Sequence, residues 1–143
     1  MPAYIDKAGM IARYGEKSLI DLTDRVKPYT GAIVDAVLDQ AISSAGSIID
    51  LHVGQQHALP LASVPAALVE IAAALAFSGL HINDAPDRVT RAYEQGMRTL
   101  RQIGDGTLGL PVAGSAAPAE APANTVTIEA SERVFGRDNM GSW

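Results

Sequence analysis

The stretch Thr30–Gln55 constrains the fold most, because its apolar residues recur at the spacing of an α-helix through about six turns. The recurring apolar positions are Val34, Val37/Leu38, Ala41/Ile42, Ala45, Ile48/Ile49 and His52/Val53. The opposite face carries Asp35, Asp39, Ser43, Ser47 and Asp50. We expect Thr30 to cap the start of this helix, which at ~1.5 Å per residue would be roughly 37 Å long. Because its apolar side must leave water, the other segments are expected to pack along it.

Composition limits what can pack against this helix. A chain of 143 residues is most simply one domain with a sizeable core. Only 5% of the residues are aromatic, so the core is expected to be aliphatic and rich in alanine, which favours closely packed helices. The chain has no cysteine, which excludes disulfides, thiolate metal sites and cysteine nucleophiles.

The remaining helices are placed by their start and stop signals. Asp6 is expected to cap Lys7–Tyr14, which Gly15 ends, and Glu16–Leu22 adds a further short turn of helix. The later starts and stops are Ser63 and Pro65 for a helix running to Ile82, then Asp84 and Pro86 for a fourth helix that ends at Gly104 and Gly106. The sequence therefore predicts a mainly α fold: a small bundle of four helices in all, of which one long helix is central, with at most two or three short strands.

The helix Pro65–Ile82 is apolar nearly all round, so a membrane span has to be considered. Glu70 near its middle, its many alanines and the absence of basic flanks argue against a span. A helix buried on several sides, in the bundle or at a subunit contact, is the better interpretation, and no membrane partner is expected. Met1 is followed by no signal-peptide pattern, so synthesis in the cytoplasm is expected.

The chain divides by composition into residues 1–110, a helical domain; 111–124, a Pro/Ala-rich linker; and 125–143, a C-terminal arm. Thr125–Ile128 alternates as a short strand would. The arm carries one of two phenylalanines and the only tryptophan. Composition alone does not separate a docking arm from a frayed terminus.

Charge is unevenly distributed. All 11 Lys and Arg lie before residue 28 or after residue 87, and the sixty residues between them hold six carboxylates. A nucleic-acid groove needs a basic stripe, so specific DNA binding is disfavoured. Chance in a small protein remains the other interpretation of this imbalance.

No pattern in the chain indicates catalysis. Gly104–Gly109 matches the dinucleotide-binding spacing formally, but a helix precedes it where a strand is required, so it is interpreted as a helix stop. His52, His57 and His81 lack metal-ligand spacing, and Asp35 and Asp39 share an exposed helix face. The sequence therefore predicts no enzyme activity, no catalytic or metal site and no cofactor.

A series of segments along the chain carries a family resemblance: Ala3–Tyr4, Ile11–Glu16, Leu19–Arg25, Ile49–Asp50, Ala58–Leu61, Val64–Pro65, Leu80–His81, Tyr93, Leu100–Leu110 and Arg133–Met140. In this order they resemble the head–tail connector family of Mu-like phages and prophages. The resemblance covers nearly the whole chain apart from the linker. The chain departs from the family pattern at His52, at Gln55–His57 and at Ala76–Ser78, which puts partner contacts there in doubt.

The resemblance implies a structural virion protein made in the host bacterium and located at the head–tail neck. There it would form a ring beneath the portal protein, dodecameric like the portal, contact tail terminator or neck proteins, and let DNA pass without specific binding. The arm residues expected to bind the portal or a neighbouring subunit are Arg133, Val134, Phe135, Arg137, Asp138, Met140 and Trp143. Two other functions stay open: a tail-side neck or completion protein, and a cytoplasmic helical regulator or small enzyme.

Overall fold

The structure is a computed structural model that describes residues 3–112. Five helices follow one another in this part of the chain: α1 (Lys7–Tyr14), α2 (Glu16–Thr23), α3 (Asp35–Val53), α4 (Ala66–Leu80) and α5 (Asp87–Gly104). Residues 3–112 contain no strand. The prediction of a mainly α bundle around one long helix is therefore confirmed. The predicted strand at Thr125–Ile128 lies outside the described residues.

The helix count is five rather than the predicted four, because Glu16–Thr23 is a complete helix and not a single turn. Asp6 caps α1 as predicted, and its carboxylate accepts a hydrogen bond from the Gly9 N–H. Gly15 ends α1 with a φ of 82°, a conformation that glycine adopts without strain, and α2 begins at the next residue. A single left-handed residue is thus enough to separate two helices.

The long helix α3 begins at Asp35 rather than near Thr30, so the predicted cap is wrong. The Asp24 carboxylate accepts hydrogen bonds from the N–H groups of Thr30 and Gly31, and this holds the connecting loop in a turn. The Thr23 hydroxyl accepts from the N–H of Val34, the residue that precedes α3. Residues 30–34 are therefore held in a loop by α2, which shortens α3 to 19 residues.

Two further helix starts differ from the prediction. Pro65 occupies the N-cap position of α4, and its carbonyl accepts from the N–H groups of Leu68 and Val69. Pro86, not Asp84, occupies the N-cap position of α5, which leaves Asp87 in the first turn. In both cases the proline is itself the extended residue directly before the helix. It stands one position earlier than the first helical position, where proline is also favoured.

The core lies where α3, α4 and α5 meet. The stripe of α3 that faces it is fully buried and consists of Leu38, Ile42, Ala45, Ile49 and Val53. α4 is buried on several sides, as predicted, with eight buried residues in 15. α5 contributes Val89, Leu100 and Ile103, and its four arginines, Arg88, Arg91, Arg98 and Arg101, are exposed as predicted.

α3 and α5 finish at the same end of the bundle. The Gln56 side-chain amide donates to the Gly104 carbonyl at 3.0 Å, just beyond the end of α3. A Cβ atom at Gly104 would lie 3.3 Å from the His52 carbonyl oxygen, so glycine allows the two helix ends a close approach. After α5, Leu110 is buried and Val112 packs against the core, two residues into the segment predicted to be the linker.

Candidate interaction surface

A groove runs beside the buried stripe of α3, between α3 and the C-terminal half of α4, with a volume of about 730 Å³. Its wall on α3 is a second stripe with four- and three-residue spacing, formed by Val37, Ala41, Ser44 and Ile48. Leu51 continues this spacing and is 68% exposed. α3 therefore presents more apolar surface than α4 and α5 cover.

The α4 side of this groove is lined by two small residues, Ser78 and Gly79, together with Leu75 and Leu80. Tyr93 of α5, which is 36% exposed, also lines it. A Cβ atom placed on Gly79 would meet nothing within 4 Å. Neither steric crowding nor a left-handed backbone therefore explains a glycine in the last turn of α4.

Arg25 is the one charged residue among those that line the groove. Its Nε donates to the Leu22 carbonyl and its Nη2 donates to the Leu80 carbonyl, so the side chain joins the end of α2 to the end of α4. Within residues 3–112 Arg25 forms no ion pair. Its positive charge thus stands at one end of an otherwise uncharged groove.

A second depression, of about 420 Å³, lies between α1, α4 and α5 and includes Arg13 and Arg88. Tyr14 and Phe77 stack there at 3.8 Å between ring centroids, and Phe77 meets His81 edge-on at 5.0 Å. Burial raises the pKa of the Tyr14 hydroxyl. Arg13 donates to the Glu70 carboxylate at 2.6 Å, and this hydrogen bond lowers the pKa of Glu70.

A third depression, of about 480 Å³, lies on the acidic flank of α3. Asp50, which lines this depression, accepts from the Tyr4 hydroxyl, and Asp35, at the start of α3, accepts from Lys7 at 2.6 Å. Both carboxylates were expected to face water. Burial and the Asp50 carboxylate both raise the pKa of Tyr4. Asp39 is exposed, as predicted.

The histidines and glycines take structural positions. His57 lies in the loop after α3, and His81 contacts the Phe77 carbonyl through Nδ1 at 2.9 Å. Among residues 3–112 no group of three His, Cys, Asp or Glu is placed to hold a metal ion. Gly104 ends α5 and Gly106 follows with a φ of 75°, as a helix stop requires. No helix in the described part of the chain is long and apolar enough to cross a membrane.

The predicted partner-binding residues, Arg133 to Trp143, lie outside the described residues. The structure instead reveals the groove, which the sequence interpretation missed. Its signal was present in the spacing Val37, Ala41, Ser44, Ile48 and Leu51, but this stripe was merged with the adjacent core stripe. The second stripe is only partly covered within the subunit, because Val37, Ala41 and Ile48 are partly buried against the core and Leu51 is exposed.

Residues 3–112 thus define a small helical bundle with open surface grooves and a charge pattern that differs between its faces. Comparison with known proteins gives its relationships. The model of the family described as Bacteriophage Mu, Gp36 matches residues 4–128. The chain belongs to this family of phage Mu-type proteins.

Two relatives match along almost their entire length. The chain is 28% identical over 132 residues to "Gene product J" of Escherichia phage Mu, covering 92% of this chain and 93% of the relative. It is also 28% identical over 138 residues to "Mu-like prophage FluMu protein gp36" of Haemophilus influenzae, with 96% of each chain covered.

Proposed function

We propose that this protein is a structural, non-enzymatic virion component that forms a ring at the neck, joins the portal to the tail and extends the DNA channel. The observation that carries the proposal is family membership across residues 4–128, together with the connector-like segments in the sequence. The Mu and Mu-like relatives place the chain among phage proteins, and their names state no role at the neck.

The bundle has features that a ring subunit needs. In a closed ring each copy presents two different surfaces, one to each neighbour. Here the α3–α4 groove is open on one part of the bundle, and the exposed arginines of α5 lie on another. α3, α4 and α5 share one apolar core, which makes a rigid body suited to repeated lateral contacts.

The charge pattern is compatible with a channel through which DNA passes. A wall that carries cations would hold phosphates and slow the movement of DNA. Residues 28–87, which include α3 and α4, contain no Lys or Arg. We place part of this cation-free region toward the lumen.

The arm, residues 125–143, is proposed to dock on a neighbouring subunit or on the portal. It contains Phe135, Trp143 and two arginines, residue types that are enriched where interfaces concentrate binding energy. Phe135→Ala and Arg137→Ala are each expected to impair neck assembly in part. A chain cut after Asn124 is expected to melt almost unchanged and to fail in assembly.

The test is cryo-electron microscopy of particles that carry the full-length chain, alongside particles from a deletion of its gene. Ring density between portal and tail, and its loss with accumulation of unjoined heads and tails on deletion, are expected. Density that purifies only with free tails would instead identify a tail-side completion protein. Absence of the chain from particles would contradict a virion role and favour a cytoplasmic regulator or enzyme.

A further inference from the structure

We propose that the groove between α3 and α4 is the binding site for the arm, residues 125–143, of a neighbouring copy of this chain. The inference deepens the proposed function, on which it rests for the presence of neighbouring copies. The shape of the groove, its charge and the length of the intervening chain all support the arm as the segment that binds there.

The shape favours large apolar side chains entering from outside. The groove has a volume of about 730 Å³, and its lining combines larger apolar residues with small ones, namely Ala36, Ala41, Ser44, Ser78 and Gly79. Glycine inside a helix is less stable than alanine. Nothing within 4 Å of the missing Gly79 side chain occupies that space in the subunit. A segment bound over Gly79 would explain why a glycine stands there, which no contact within the isolated subunit explains.

The arm supplies the complementary side chains. Its apolar residues are Val126, Ile128, Val134, Phe135, Met140 and Trp143, and its carboxylates are Glu129, Glu132 and Asp138. The groove contains no carboxylate, and its single cation, Arg25, has no ion-pair partner within residues 3–112. Large apolar side chains therefore match the apolar lining with its small residues, and an arm carboxylate matches Arg25.

The length of chain permits the contact. The groove follows α3 from Ala36 to Ile48, about 18 Å at ~1.5 Å per residue. Val112 packs against the core after α5, which finishes beside the end of α3. Residues 113–124 separate Val112 from the arm, and twelve residues reach at most about 37 Å at ~3.1 Å each.

Two reasons favour an arm that comes from a neighbouring copy over an arm that folds back on its own chain. Residues 113–124 contain Pro118 and Pro122 among alanines, and proline-rich spacers favour extended conformations that project a segment outward. A contact in which the arm of each copy enters the groove of the next is also head-to-tail, the kind of contact that generates rings when its rotation closes.

Fluorescence of the full-length chain tests the contact, because Trp143 is the only tryptophan and reports on the arm alone. We expect its emission to shift to shorter wavelength as protein concentration rises. A Cβ atom at Gly79 meets nothing within 4 Å, so Gly79→Leu is expected to occupy the groove and to abolish this shift. Gly109→Leu is the control, since a Cβ atom there also meets nothing within 4 Å and Gly109 lies outside the groove, and it should retain the shift.

Two fluorescence results would overturn the proposal. A blue shift that does not depend on concentration would show that the arm binds its own chain. An identical concentration-dependent shift in wild type and in Gly79→Leu would show that the arm binds elsewhere. Equal circular dichroism of both variants verifies that the helices are intact.

Photo-crosslinking identifies the occupant directly. Gln40 lines the groove and is exposed, so p-benzoylphenylalanine is introduced there in the full-length chain. Mixing ¹⁵N-labelled and unlabelled copies lets mass spectrometry separate contacts between copies from contacts within one. Crosslinks between copies to residues 125–143 are expected. Crosslinks within one copy, crosslinks to residues 3–112 of another copy, or no crosslink at any concentration would each refute the assignment.

This result is separable from the proposed function. If ring density is present at the neck but no crosslink forms between Gln40 and the arm of another copy, only the groove assignment is refuted. If those crosslinks form but the protein is absent from particles, arm binding between copies is supported and the neck role is refuted.

Discussion

Thr23 holds the junction between α2 and α3, and its replacement tests how that junction is built. The side chain is 2% exposed; its hydroxyl donates to the Leu19 carbonyl at 2.7 Å and accepts from the Val34 N–H at 3.0 Å. Thr23→Val keeps the shape but removes both hydrogen bonds. Thr23→Ser keeps both hydrogen bonds and removes one methyl group.

The cost of Thr23→Val follows from the Val34 N–H, which loses its acceptor at a partly buried position. An unsatisfied donor of this kind costs about 1–3 kcal/mol, and the added methyl group returns about 0.8 kcal/mol. With the loss of the second hydrogen bond, about 1 kcal/mol, the free energy of unfolding should fall by roughly 1–3 kcal/mol. Loss of one buried methyl group in Thr23→Ser should cost about 0.5–1.5 kcal/mol.

The assay is urea unfolding followed by circular dichroism, with hydrogen exchange at the Val34 amide as a local measurement. Thr23→Val should be the less stable variant, with an unchanged denaturant slope, and its Val34 amide should exchange faster than in Thr23→Ser. Equal stability of the two variants together with equal exchange at Val34 would refute the role assigned to the hydroxyl.

Three further predictions follow from other contacts. Ile42→Ala or Ile49→Ala should each lower the free energy of unfolding by about 2–5 kcal/mol, because both are buried in the α3 core stripe; Asp39→Ala, on the exposed face, should change it by less than about 0.5 kcal/mol in the same urea titration. Burial and the contact with Asp50 raise the folded pKa of Tyr4 above its ordinary value of about 10, so the contribution of Tyr4 to the free energy of unfolding is present below that pH and is lost as pH rises through the folded pKa. Between pH 8 and roughly 12 the melting temperature should therefore fall more steeply for wild type than for Tyr4→Phe, and an equal fall would contradict the burial of the Tyr4 hydroxyl against Asp50. Asp6→Ala should cost about 1 kcal/mol through loss of the α1 cap, whereas Asp6→Asn should cost less, as measured by thermal unfolding.

The sequence predicted those parts of the fold that depend on local patterns. The buried side of α3 follows from three- and four-residue spacing, and the α1 cap and Gly15 stop follow from side-chain and backbone chemistry within a few residues. The start of α3 was missed because it depends on Asp24 and Thr23, which hold the loop from the preceding helix. Contacts over such separations leave no periodic signal.

The groove could be only half predicted for a similar reason. The apolar stripe Val37, Ala41, Ser44 and Ile48 is visible in the sequence, but whether α4 or α5 covers it depends on where those helices cross α3. The partners of Asp35 and Asp50 were also missed, since Lys7 and Tyr4 come from a segment 28 and 46 residues earlier. Tertiary packing decides such contacts, and a single sequence does not record it.

The side-chain contacts of the first 25 residues have a consequence for the order in which the protein folds during synthesis. Tyr4 meets Asp50, Arg13 meets Glu70 and Arg25 meets the Leu80 carbonyl, over separations of 46, 57 and 55 residues. Lys7, Tyr4 and Thr23 find their partners on α3 or in the loop before it, so the N-terminal segment can begin to dock once α3 has emerged. Arg13 and Arg25 find theirs only after α4 has followed. Since contacts distant in sequence form late and slow folding, we expect α1 and α2 to be held by part of their contacts in that interval and to be fixed in place when α4 docks.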